Sequence, residues 1–181
     1  FNWQINNQYG NPMSSLMVDL NNDDFDDLVF WNFDNRQFWS DADEGYILLS
    51  NGSADIQAWK KMALPHGPFG ENKNKYNHAA SEDFNNDGFI DVVVAVTRDD
   101  PYYEGAYIQV LINDGTGKLF DETSSRFPNQ FRADKHHGEG NIYVRDMNND
   151  SYIDIIHSTR DYESGYHGAH IAINDGYGNF I

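Results

Sequence analysis

The sequence contains no cysteine, so neither a disulfide nor a thiolate can contribute to its structure or chemistry. It also lacks a run of about 18 apolar residues, which a membrane-spanning helix would need. Basic residues are scarce, because 12 Lys and Arg stand against 29 Asp and Glu, for a formal net charge of −17. This charge disfavours nucleic acid and anionic membranes as partners, and we expect neither nucleic-acid binding nor membrane insertion.

Three similar acidic stretches recur along the chain. They read DLNNDDFDDLVF at 19–30, DFNNDGFIDVVVAV at 83–96 and DMNNDSYIDIIH at 146–157. Their first residues, Asp19, Asp83 and Asp146, are 64 and 63 residues apart. A recurrence at such a regular distance indicates a repeated structural unit.

The second unit shows the expected strands most clearly. The apolar run VVVAV at 92–96 predicts a strand buried on both faces, and the alternating AYIQVLIND at 106–114 predicts the next strand. A Gly-rich turn and a short fourth strand follow. The third unit repeats this order, whereas the first is less regular, with ADIQAW at 54–59 as its last segment. Four short strands in about 60 residues, without a helix, are typical of a β-propeller blade.

We therefore predict an all-β fold, a β-propeller of four-stranded blades of which this chain covers about three. Residues 1–14 would end a preceding blade, 15–78 and 79–141 would each form a blade, and 142–181 would form an incomplete one. Propellers close with about 4 to 8 blades. We therefore expect the chain to be part of a larger ring, whose remaining blades come from the rest of a longer chain or from other copies.

Each acidic stretch places side-chain oxygens at its positions 1, 3, 5 and 9, with a backbone carbonyl expected at position 7. Such a set suits Ca²⁺, whereas Mg²⁺ prefers fewer protein ligands and more water. An EF-hand would need Glu at position 12, where this chain has Phe30, Val94 and His157. We predict up to three Ca²⁺ ions, one per loop. Their ligands would be Asp19, Asn21, Asp23, Phe25 and Asp27; Asp83, Asn85, Asp87, Phe89 and Asp91; and Asp146, Asn148, Asp150, Tyr152 and Asp154.

Position 6 of these loops requires a sharp turn. Gly88 suits such a turn, while Asp24 and Ser151 tolerate left-handed geometry less well and predict weaker sites. The alternative is that these Asp-Asn-Gly clusters are ordinary solvated turns between strands. Three matches in the same register favour metal loops, and we expect the ions to stabilise the fold rather than to perform chemistry.

The motif D-x-N-x-D-G-x-x-D before an apolar strand, with INDGxGxF further on, resembles the FG-GAP/VCBS repeats of integrin-α-type β-propellers. In that family the acidic loop joins the first two strands of a blade and binds Ca²⁺. The resemblance covers nearly the whole chain and implies the same fold and the same ion here. It implies cell adhesion or ligand binding, in a secreted or cell-surface protein, only loosely, because the repeat also occurs beside enzymatic modules.

The long loops at the opposite end of the predicted blades carry the candidate ligand-binding residues. Aromatic rings together with planar Arg side chains suit sugar rings and acidic groups, so we expect a glycan or a protein as ligand. The candidates are Trp39, Arg98, Tyr102, Tyr103, Arg160, Tyr162 and Tyr166. Alternatively, these aromatic side chains pack the loops together, and Arg98 and Arg160 pair with nearby acidic groups.

Three hypotheses about function follow. The first is a calcium-stabilised, carbohydrate- or protein-binding propeller module, which we expect rather than an enzyme. The second is a polysaccharide-degrading enzyme of the lyase type, or its propeller domain, with His136, His137 and Tyr166 as candidate catalytic residues. The third is a passive structural module of a large surface protein. No G-x-S-x-G, P-loop or dinucleotide fingerprint indicates another class of enzyme.

Overall fold

The structure is a computed structural model and consists mostly of three antiparallel sheets. It describes residues 12–32, 45–70, 73–98, 104–130, 137–138, 140–161, 165 and 167–181. Each sheet has four strands. No helix in this part of the chain is long and apolar enough to cross a membrane.

The first sheet has the strand order β1-β2-β3-β4. Its strands are β1 (Pro12–Val18), β2 (Asp27–Asn32), β3 (Gly45–Leu49) and β4 (Lys60–Ala63). The expected last segment, 54–59, is not a strand, because Ile56–Ala58 form a 3-10 turn and β4 follows it. The Asp55 carboxylate accepts the backbone N–H of Gln57 at 3.0 Å, and this local bond closes the turn.

The second sheet has the order β5-β6-β7-β8. Its strands are β5 (Asn74–Glu82), β6 (Asp91–Arg98), β7 (Glu104–Asn113) and β8 (Leu119–Asp121), followed by a one-turn helix α1 (Thr123–Arg126). Val94 belongs to the core shared with the first sheet, whereas Val93 and Ala95 belong to the core on the other face. The prediction that this strand is buried on both faces is confirmed.

The third sheet contains the remaining strands. These are β9 (His137–Gly138), β10 (Ile142–Arg145), β11 (Asp154–Asp161) and β12 (His167–Ala172). The order is β10-β11-β12, and β9 also pairs with β11. In place of a fourth strand after β12, Asn174 forms an isolated bridge with Phe180. The backbone N–H of Ile173 donates to the carbonyl of Ile181 at 2.9 Å.

The sheets stack face to face around two hydrophobic cores. Trp31, Ile47 and Leu111 contribute to the core between the first and second sheets, and Phe84 and Ile155 to that between the second and third. The first strand of the second sheet, β5, also contacts β1 and β10. The predicted all-β class is confirmed, and stacked four-stranded sheets are consistent with propeller blades. Strands β1 and β5 begin before the predicted unit boundaries at 15 and 79.

Candidate metal sites

The three acidic stretches form equivalent loops between the first and second strands of the three sheets. We call residues 19–26 the first loop, 83–90 the second and 146–153 the third. Each loop begins directly after β1, β5 or β10, and the residue that follows it, at position 9 of the acidic stretch, is the first residue of the next strand. The predicted position of the acidic loops in the sheets is therefore confirmed.

The Asp at position 1 organises the backbone of its loop. In the second loop, Asp83 accepts the backbone N–H of Asp87 on Oδ1 at 3.1 Å and that of Gly88 on Oδ2 at 2.9 Å. The matching bonds join Asp19 to Asp23 and Asp24, and Asp146 to Asp150 and Ser151. One carboxylate thus fixes the turn at positions 5 and 6 in every loop.

Positions 3 and 5 contact each other. Asn85 donates its side-chain N–H to Oδ2 of Asp87 at 2.8 Å, and Oδ1 of Asp87 accepts the backbone N–H of Phe89 at 2.9 Å. The other two loops repeat both bonds. In the first loop, Oδ1 of Asn21 is buried and has no hydrogen-bond partner. A buried acceptor without a donor is costly, and a cation would relieve this cost.

Two residues in each loop have left-handed backbone geometry. At position 6, φ is +68° for Asp24, +89° for Gly88 and +75° for Ser151. The sharp turn predicted there is present in all three loops, including the two without Gly. Position 4 is also left-handed, which sequence reasoning missed although Asn stands there each time. Asn tolerates this geometry better than most residues; the three are Asn22, Asn86 and Asn149.

The aromatic residue at position 7 lies over a glycine of the turn that follows the third strand. In the second sheet, a Cβ on Gly115 would stand 2.6 Å from the Phe89 ring. Phe25 covers Gly52 and Tyr152 covers Gly176 in the same way. The acidic loop and the Gly-rich turn therefore share one end of each sheet, and the ring requires glycine in the turn.

The Asp at position 9 is fully buried in all three loops, with 0 % of its surface exposed. Asp91 accepts the backbone N–H of Phe84 on Oδ2 at 3.2 Å and that of Asn113 on Oδ1 at 2.9 Å. Asp27 binds Leu20 and Ser50, and Asp154 binds Met147 and Asn174, through the same pair of bonds. This carboxylate joins the beginning of its loop to the residue that ends or follows the third strand.

Burial raises the pKa of Asp91 to about 7, against the effect of the Asn113 N–H and with help from the nearby Asp87 charge. Burial also raises the pKa of Asp27. The position 1 carboxylate of the third loop behaves differently: desolvation opposes its charge, but backbone N–H donors, among them Ser151, hold the pKa of Asp146 below its ordinary value. A nearby cation would favour the charged form of the buried Asp91.

The residues fit Ca²⁺ by the chemistry of their donors, which are carboxylate, amide and carbonyl oxygens without nitrogen or sulfur. Within the described residues, however, no three Asp, Glu or His side chains are gathered around one point. Their oxygens bind backbone N–H groups instead. Among the side-chain oxygens of the three loops, Oδ1 of Asn21 is the one that is buried without a hydrogen-bond donor, as a cation ligand could be.

Most of the predicted ligand-binding and catalytic residues lie outside the described part of the chain. These are Trp39, Tyr102, Tyr103, Tyr162, Tyr166 and His136. The backbone of His137 pairs with Asp161, and that of Arg160 pairs with His167 and Gly138. Arg98 is described fully, and its guanidinium lies 5.0 Å from the centroid of the Phe69 ring, which is a cation–π contact.

One buried histidine was not identified from the sequence. His157 on β11 is 3 % exposed and faces His170 across the β11–β12 pair. Burial and the neighbouring His170 lower its pKa to about 4, so this imidazole is neutral near pH 7. It lines a cavity of about 310 Å³ between the second and third sheets.

Stacked four-stranded sheets, each with an acidic loop between its first two strands, define a repeat protein of the propeller-blade type. Residues 83–157 match the family model described as the FG-GAP-like repeat. The match supports the predicted resemblance to FG-GAP repeats for this part of the chain. It runs from the first residue of the second loop to just beyond the third. No curated protein and no solved structure matches the chain.

Proposed function

We propose that this chain is a calcium-stabilised module of an extracellular or cell-surface β-propeller, and that it binds a glycan or a protein through its loop-rich end. The observation that carries the calcium part is the common geometry of the three loops. In each loop, the Asp at position 1 accepts the backbone N–H of position 5, the Asn at position 3 donates to the Asp at position 5, two residues are left-handed, and the Asp at position 9 is buried.

Charge also supports a role for a cation. The acidic groups of one loop repel each other, and at Asp27 and Asp91 burial raises the carboxyl pKa as well. Ca²⁺ bound in the loop would offset both effects. Placement outside the cell would supply abundant Ca²⁺ for such sites, which is why we propose a secreted or cell-surface location.

Asp87→Ala tests the metal site in the second loop. The variant should bind one Ca²⁺ ion fewer than the unchanged protein, as counted by calorimetric titration. A site that is saturated 100-fold above its Kd contributes about 2.7 kcal/mol. We therefore expect the melting temperature in saturating Ca²⁺ to fall by about 5 to 10 °C. In chelator the two proteins should differ much less.

The matched control is Asp114→Ala. Asp114 is also an exposed Asp in a tight turn, where its carboxylate accepts the N–H of Thr116 at 2.9 Å, but it lies outside the acidic loops. Its replacement should leave the number of bound ions unchanged. If Asp87→Ala also binds as many ions as the unchanged protein, the second loop is not a calcium site.

The ligand part of the proposal needs a separate experiment. The protein in saturating Ca²⁺ would be passed over immobilised acidic and neutral polysaccharides, while the absorbance of newly formed double bonds is followed in the same samples. Retention without new absorbance is expected of a binding module. Rising absorbance that is lost on His137→Ala would establish a lyase instead. Neither signal across the panel would favour a passive structural module.

A further inference from the structure

A buried amide connects the first and second loops. The side-chain N–H₂ of Asn113 donates to the carbonyl of Leu20 at 2.7 Å and to that of Ile90 at 3.0 Å. Leu20 is the second residue of the first loop, and Ile90 is the eighth residue of the second loop. One side chain therefore bridges the predicted metal loops of two neighbouring sheets.

The same connection recurs between the second and third loops. Asn174 donates to the carbonyl of Phe84 at 2.9 Å and to that of Ile153 at 3.1 Å. Asn113 and Asn174 are only 2 % and 1 % exposed. The backbone N–H of each also donates to the ninth Asp of its own loop, at 2.9 and 2.8 Å. The three loops thus form a series, in which each unit reaches the unit before it.

The first unit has Ser50 at the equivalent position. Its backbone N–H donates to Asp27 at 2.8 Å, as the two asparagines do to their own ninth Asp. Its hydroxyl oxygen accepts the N–H of Gly52 at 3.2 Å. Serine lacks the N–H₂ group that donates to two carbonyls at once. The first unit therefore shows that Ser fits this position and keeps the bond to the ninth Asp, so Asn→Ser is the natural substitution for a test.

The bridged carbonyls stand directly between predicted ligands. The carbonyl of Leu20 lies between positions 1 and 3 of the first loop, and that of Ile90 between positions 7 and 9 of the second. When the second loop is ordered, Ile90 and Asp91 are held in place. These two residues in turn position Asn113, and the Asn113 side-chain amide holds the carbonyl of Leu20. Breaking this chain would leave buried polar groups unpaired, and such groups are costly.

We infer that Asn113 and Asn174 are positioning residues that couple each metal loop to the loop of the preceding unit. This inference rests on the proposed calcium function for its ion, but the bridge itself consists of residues of this chain. Since coupling between two sites is reciprocal, an ion in either of two neighbouring loops should raise the affinity of the other. We expect an effect of about fivefold or more.

The test uses Asp150→Ala, which removes the third site and leaves the first and second. Calorimetric titration of this variant with Ca²⁺ should show two ions that bind cooperatively. Adding Asn113→Ser should leave two ions but remove the cooperativity, so that the second ion binds at least about fivefold more weakly than before. Adding Asn174→Ser instead is the matched control, and it should keep the cooperativity between the first two sites.

Two variants keep the test decisive if Asn113→Ser does not fold. Asp23→Ala removes the first site, and Asn174→Ser in that background should abolish cooperativity between the second and third sites. Two ions that bind independently with the asparagines intact would overturn the inference while leaving the calcium sites in place. An absence of bound Ca²⁺ in the unchanged protein would instead overturn the proposed function.

If the unchanged protein binds no Ca²⁺, the bridge can be tested without metal by hydrogen exchange. In Asn113→Ser, the backbone amides of the first loop should exchange at least about fivefold faster than in the unchanged protein, while those of the third loop remain unaffected. Unchanged exchange in the first loop would overturn the inference independently of the ion. Circular dichroism of the variant would show that the sheets are intact.

Discussion

The second and third units contain nearly the same loop but have different surroundings. The second sheet is covered on both faces, and Phe84, at position 2 of its loop, is 0 % exposed. The third sheet buries one face, while its other face leaves Tyr143 55 % and Ile171 50 % exposed. Met147, the equivalent of Phe84, is 45 % exposed.

Despite this difference in burial, the loops have the same internal geometry. The bond from position 6 to the carboxylate at position 1 is 2.9 Å long in both, with Gly88 in one loop and Ser151 in the other. The ninth Asp is fully buried in each. The hydrogen bonds within the loop are thus alike in the two units, whereas the burial of position 2 depends on a neighbouring sheet.

The largest expected difference in stability between the second and third units is at position 2 of their loops. Phe84→Ala should lower the free energy of unfolding by about 3 to 5 kcal/mol, because the ring is buried and lies 5.7 Å from the Phe180 ring, centroid to centroid. Met147→Ala, at an exposed position, should change it by less than about 0.5 kcal/mol. Urea denaturation measures both, and equal losses would contradict the role assigned to neighbouring sheets.

Asp91 of the second unit should also make the stability of the protein depend on pH. Burial raises the pKa of Asp91 to about 7 in the folded protein, whereas an unfolded Asp has a pKa of about 3.9. The folded state therefore holds this proton more tightly, and without metal the stability should fall as pH rises from about 4 to about 7. The slope for one titrating group is at most about 1.4 kcal/mol per pH unit.

Unfolding in urea with chelator at pH 4.5, 5.5 and 6.5 would measure this slope. Asp91→Asn, which cannot titrate there, should reduce the slope whatever its effect on absolute stability. Saturating Ca²⁺ should flatten or reverse the slope in the unchanged protein, because the ion favours the charged carboxylate. A slope that is the same in Asp91→Asn would show that other groups carry the pH dependence.

What could be predicted from the sequence was mostly local. The spacing from Asp83 to Asp91 and the apolar run after it placed the loop and β6 correctly, because both depend on residues close in the chain. The fourth strand of the first unit was misplaced, since a side-chain bond of Asp55 to the N–H of Gln57 closes a turn there. Local composition cannot reveal which of two such short-range structures wins.

The bridging role of Asn113 was missed because its partner Leu20 lies 93 residues away. The repeated IN before DGTG and DGYG was the available signal, but it was used only to recognise the repeat. The ninth Asp was predicted as an ion ligand, and nothing in its spacing indicated that it also binds backbone N–H groups from two segments. Contacts between sheets require the three-dimensional arrangement, which one sequence does not contain.

The smallest expected effect concerns position 6, where the two units differ in residue but not in geometry. Ser151→Gly should raise the free energy of unfolding by about 1 to 2 kcal/mol, because it removes left-handed backbone strain. The greater freedom of Gly in the unfolded chain opposes this gain by about 0.5 to 1 kcal/mol. The net gain is about 0.5 to 1 kcal/mol, and Gly88→Ser should lose a similar amount, since no atom lies within 4 Å of a Cβ there. Urea denaturation in chelator isolates this backbone effect from any ion. Opposite signs of similar size would show that the two loops are interchangeable, whereas two losses would show that the Ser151 side chain stabilises its own loop.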